Sequence, residues 1–199
     1  NDMTGAGALF AAMTALKELG CQAEVIGYMM CTDNMPSGSA LRLGDIIVMR
    51  GGTTVEVINT DAEGRLVMAD ALVLATEEKV DAIIDIATLT GACLRTFGVE
   101  IAGVMGNNAA LVDQVKASAE RVDEPVWELP LAHRYRGELT SIIADLRNMG
   151  GINAGSITAA LFLNEFVGDT PWAHLDIAGT AQAPAARGWI NKGTTGWGT

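Results

Sequence analysis

Residues 81–88, Asp-Ala-Ile-Ile-Asp-Ile-Ala-Thr, form a short and almost wholly apolar run. A strand of that kind is stable where helices cover both faces of its sheet, as in parallel and mixed α/β layers. The rest of the chain offers such layers. Strand patterns are expected at 23–30, at 45–50 and 54–58 around a Gly51-Gly52 hairpin turn, at 99–105 and at 172–177. Helical spacing is expected over 3–19, closed by Gly20, then from Leu66 onward, near 93–96, over 109–122 and over 155–167. The alternation predicts the α/β class with a mixed sheet, and no internal repeat or low-complexity linker interrupts it.

Composition narrows the function. The 199 residues are 49% hydrophobic and 19% charged, which suits one globular domain with a sizeable core. A net charge of −11 with no basic run argues against nucleic acid and against an anionic membrane surface as partners. No apolar stretch reaches the length of a bilayer span. Cys21, Cys31 and Cys93 make no C-x-x-C, and an odd count reads as free buried thiols in a reducing cytoplasm.

The chemistry concentrates in Asn59-Thr60-Asp61-Ala62-Glu63-Gly64-Arg65-Leu66. Two acids and a guanidinium fall within five positions. In an extended backbone Asp61, Glu63 and Arg65 share one face, and carboxylates that close favour a cation between them. The same residues support a structural reading. Thr60-x-x-Glu63 is a capping-box pattern ahead of a helical run, where acids are favoured by the helix dipole. Asp2, ahead of the first helical run, is open to that same reading. His133 and His174 are the only histidines, with no H-E-x-x-H, so a zincin site is excluded. His174 is expected to be a hydrogen-bonded strand residue. No G-x-S-x-G supports a serine hydrolase.

The octapeptide resembles the signature of the leucine aminopeptidase (cytosol aminopeptidase) family of two-metal exopeptidases. Asp2-Met3-Thr4-Gly5-Ala6 and 85–92 are similar to further segments of that family, as are 34–38, 44–46 and Gly150-Gly151. Leu43 stands where the family usually has proline. The resemblance implies a three-layer α/β/α catalytic domain around a mixed β-sheet, acting on peptides with leucine-like N-terminal residues. It also implies metal ligation by Asp2, Asp61 and Glu63, with Glu63 bridging two divalent ions, manganese or zinc. Arg65 is implied as the catalytic side chain, holding bicarbonate or stabilising negative charge. Thr88, Leu89 and Gly91 are implied to line the substrate cleft, and Ala178 and Ala181 the pocket for the N-terminal side chain. A cytoplasmic homo-oligomer, a hexamer, is implied as well.

The match begins at Asp2. The family's upstream segment with a metal-binding lysine, a bridging aspartate and a catalytic lysine finds no counterpart here, nor do its N-terminal domain and final helix. Residues 1–199 are therefore expected to be a partial catalytic domain, inactive alone. Two other functions compete. Thr4-Gly5-Ala6-Gly7 hints at a nucleotide-binding loop without its third glycine or a preceding strand, and a non-catalytic scaffold of the same fold is the other.

Overall fold

A computed structural model describes residues 2–199. Its main sheet has four strands in the order β3-β7-β4-β5: β3 (Ile83–Ala87), β7 (Trp172–Asp176), β4 (Ala102–Gly106) and β5 (Val126–Glu128). β3 pairs parallel to β7, β7 antiparallel to β4, and β4 parallel to β5. This is the mixed sheet that the alternating pattern predicts. A second sheet joins the hairpin β1 (Ile46–Val48) and β2 (Thr54–Glu56) to β6 (Leu146–Arg147). The hairpin turns at Gly51 and Gly52, both at positive φ, as expected. A small pair, β8 (Gln182–Ala183) with β9 (Gly193–Thr194), follows late in the chain.

Helices cover both faces of the main sheet. On one face α2 (Gly64–Glu77) and α5 (Gly155–Asn164) pack Leu66, Leu72, Leu161 and Phe162 against Ile83, Met105 and Trp172. On the other, α4 (Ala109–Arg121) packs Val112 against Val104 and Ala173. Residues adjacent on a strand thus feed opposite layers, which makes the domain α/β/α. The apolar run over 155–167 becomes α5, buried along nearly its whole length. Side chains cap two helix starts: Thr90 accepts from the amide of Cys93 ahead of α3 (Gly91–Phe97), and Asn108 from that of Leu111 ahead of α4.

The first helix, α1 (Thr4–Ala15), ends earlier than its spacing suggests, and the chain closes through turns at 16–20 to Gly20 at φ 68°. Gly5 lies so close to the end of β3 that a Cβ there would overlap the carbonyl of Ile86. That contact fixes where α1 begins relative to the sheet.

Three expectations are corrected. Residues 23–30 form no strand, and Val25, Ile26 and Met29 are exposed. A strand exists only where a neighbour completes its hydrogen bonds, and among the described residues no strand pairs with this one. The capping box also fails to form. Glu63 occupies the N-cap of α2 with helical dihedrals and makes no side-chain cap bond. Finally, Cys21 and Cys31 are exposed thiols, and only Cys93 is buried.

Candidate active site

The octapeptide forms a turn that opens into α2, held from behind by Asn148. Asn148, just past β6, is fully buried. Its Oδ1 accepts from the amides of Ile58 (2.9 Å) and Asn59 (3.3 Å), and its Nδ2 donates to the carbonyl of Asn59 (2.6 Å). Within the turn the amide of Asp61 donates to Asn59 Oδ1 at 2.8 Å. From the front, Asn34 Nδ2 donates to the carbonyl of Thr60 (3.2 Å) and to Glu63 Oε2 (2.9 Å). Neither asparagine belongs to the acidic pattern. The resemblance at 34–38 touched the first, while Asn148 lies 82 positions beyond Leu66, the last residue of the octapeptide, in no expected motif beyond its neighbours Gly150-Gly151.

Asp61, Glu63 and Arg65 do not share one environment. Asp61 is exposed, Glu63 is half-buried and Arg65 is only 6% exposed. Burial lowers the guanidinium pKa to about 10, with Asp176 and Glu63 acting in the opposite direction. The group therefore stays charged at neutral pH. Its Nε and Nη1 are buried and make no hydrogen bond among the described residues. A buried cation with unspent donors is costly unless something anionic meets it.

The loop after β3 lies against this turn. Leu89 is the nearest neighbour that a side chain at Gly64 would meet. The Thr88 hydroxyl donates to the carbonyl of Asp2 at 3.1 Å, so Asp2, exposed just before α1, reaches the same strand end. Thr88 and Leu89 are half-buried and Gly91 is exposed at the start of α3. Ala178 is half-buried and Ala181 buried in the loop after β7. Gly179, between them, approaches the carbonyl of Gly98 too closely for any Cβ. Strand ends of neighbouring strands, β3 and β7, thus bring two of the loops together, as open α/β sheets do at ligand sites.

Three carboxylates from two segments, Asp2 from one and Asp61 with Glu63 from the other, suit zinc, manganese or magnesium by donor type. Among the described residues no group of three or more His, Cys, Asp or Glu converges to hold a metal. Asp2, Asp61 and Glu63 thus suit a metal by donor type, but the three do not converge into a ligand group among the described residues. The glycine-rich start is otherwise engaged: Gly5 packs on β3, inside a helix that no strand precedes among the described residues.

The sequence matches the description "Cytosol aminopeptidase family, catalytic domain" over residues 1–199. The chain belongs to the cytosol aminopeptidase family. It is 48% identical over 198 residues to a probable cytosol aminopeptidase of Geobacter sulfurreducens, covering 100% of this chain and 40% of that protein. A probable cytosol aminopeptidase of Synechococcus is 51% identical over 197 residues, with 99% and 39% covered. The cytosol aminopeptidase of Pseudomonas aeruginosa is 48% identical over 195 residues, with 98% and 39% covered. The chain thus spans about 40% of the length of these relatives. No helix among the described residues is long and apolar enough to cross a membrane.

Proposed function

We propose that this chain is the metal-bearing part of an aminopeptidase that removes leucine-like residues from the free N-terminus of peptides. The observation that carries the reading is Arg65: a buried, charged guanidinium with two unspent donors, placed two residues after Glu63 in the octapeptide. A fixed cation in a site with little water is what a tetrahedral oxyanion requires.

In this reading Asp2, Asp61 and Glu63 hold two divalent cations, manganese or zinc, with further ligands from the remainder of the protein. Bound there, the cations supply Lewis acidity and a water of lowered pKa. The chain's own residues do the rest. Arg65 offers its free N–H groups to negative charge developing on the scissile carbonyl, directly or through a bicarbonate. Thr88, Leu89 and Gly91 bind the substrate backbone along the loop after β3. Ala178 and Ala181, both small, leave room for a branched aliphatic side chain. A cytoplasmic location and a homo-hexamer belong to the same reading.

The test compares a leucyl peptide with its N-acetylated form, using the full-length protein. Hydrolysis of the free-amine peptide alone, lost on chelation and restored by manganese or zinc, supports the reading. Equal cleavage of the acetylated peptide, or activity unchanged by exhaustive chelation, contradicts it.

A further inference from the structure

One face of β7 carries Trp172, His174 and Asp176, alternate residues turned toward α2 and α5, and all three are fully buried. Each is anchored across the sheet. His174 Nδ1 pairs with Asp85 Oδ1 on β3, directly opposite in register, while Trp172 Nε1 donates to Asp85 Oδ2 at 2.6 Å. Burial opposes charging His174, yet the charges of Asp85 and Asp176 outweigh it and raise its pKa.

Asp176 reaches further. Its Oδ2 accepts from the Thr90 hydroxyl at 2.6 Å, and its Oδ1 from the amides of Thr90 (3.3 Å) and Ala178 (3.2 Å). The Thr90 oxygen in turn accepts from the Cys93 amide at 3.0 Å and lies 2.9 Å from the Ser156 hydroxyl. Thr90 has a single hydroxyl proton and directs it to Asp176, so Ser156 is the donor in that pair. One carboxylate thereby ties the loop after β3 to the loop after β7 and fastens both to α5. Burying a carboxylate costs several kcal/mol before its partners offset it, and apolar packing would hold two strands together without that cost. What an apolar residue cannot do is fix two backbone amides at a set separation.

We propose that Asp176 is a positioning residue: it sets the spacing of the two substrate loops, 88–91 and 178–181, with the Asp85–His174 pair holding the strands behind it. The inference rests on the aminopeptidase reading above. It assigns Asp176 no contact with substrate.

The experiment uses the full-length protein loaded with manganese and compares Asp176→Asn, Thr90→Val and Thr90→Ser with wild type. Asparagine keeps an acceptor for the two amides but loses the one for Thr90. Valine removes the hydroxyl and leaves Asp176 in place. We expect KM for leucyl amide to rise about tenfold or more in Asp176→Asn and Thr90→Val, with kcat falling less and metal content unchanged. Thr90→Ser should restore KM. Hydrogen exchange should show the amides of Thr90 and Ala178 losing protection in Asp176→Asn, while those of α4 keep it. An active wild type whose two variants keep KM within twofold, with exchange unchanged, overturns the positioning role alone. A wild type that cleaves no leucyl amide overturns the aminopeptidase reading and this inference with it.

Discussion

At the scale of single residues, Arg65 decides whether the octapeptide is chemistry or scaffolding. If its free donors serve the transition state, Arg65→Ala lowers kcat by an amount equivalent to about 2–4 kcal/mol and leaves metal stoichiometry unchanged. Lysine should rescue only in part, because it lacks the planar fork. Steady-state kinetics beside metal analysis checks this, and loss of metal with unchanged turnover per metal would make Arg65 structural. His174 gives a pH-dependent prediction. Its folded pKa is raised, so the stability it contributes is fully present below its ordinary value of about 6.5 and is lost as pH rises through the folded value. The gap in Tm between wild type and His174→Gln should therefore be widest below that ordinary value and narrow as pH rises through the raised folded one. A gap that widens with pH would contradict the assignment. Arg65 was legible in the sequence because it stands inside a dense motif. Asp176 was not, although Trp172-x-His174-x-Asp176 alternates visibly, because its partner Thr90 comes from a segment 86 positions away in the chain.

At the scale of elements, the turn at 59–62 depends on a side chain outside it. Asn148→Ala would orphan the amides of Ile58 and Asn59 and release the carbonyl of Asn59. A buried donor left unsatisfied costs about 1–3 kcal/mol, so we expect a loss of that order in stability by denaturant unfolding. Because the turn carries Asp61, weaker metal binding should accompany it. Unchanged stability would show that the turn holds itself. Element identity was largely legible: β3, β4, β7, α3, α4 and α5 fall within or beside their expected ranges, since each carries its own periodicity or cap. The strand expected at 23–30 was not realised, because apolar, β-branched composition supplies side chains but not a pairing partner. The capping box failed for a related reason. Asn34 takes the Glu63 carboxylate and Thr60 carbonyl, a long-range competitor invisible to a four-residue pattern.

At the scale of the whole molecule, the α/β class with a mixed sheet followed from alternation alone and the three-layer arrangement from the family resemblance, whereas the order β3-β7-β4-β5 followed from neither. Local patterns do not encode which distant strand inserts between two near ones. Two features of the surface bear on activity. β3 ends the main sheet among the described residues, and the irregular 23–30 segment presents Val25, Ile26 and Met29 to solvent. Edges and apolar surface of this kind favour association. Together with an incomplete ligand set, they lead us to expect that residues 1–199 alone bind manganese or zinc weakly and do not hydrolyse leucyl amide measurably. Titration calorimetry beside that assay checks the point, and tight binding of two ions with full turnover would show that the ligands are complete within this chain. The most direct measurement of the central claim is made on Glu63 in the full-length protein. Its side chain sits at the start of α2 without capping it. Glu63→Gln should therefore lower metal content and turnover together, by at least the roughly 100-fold that losing even an outer-shell partner can cost, with Tm nearly unchanged. Activity and metal content near wild type, with a lowered Tm, would contradict the account and return Glu63 to a helix-start residue.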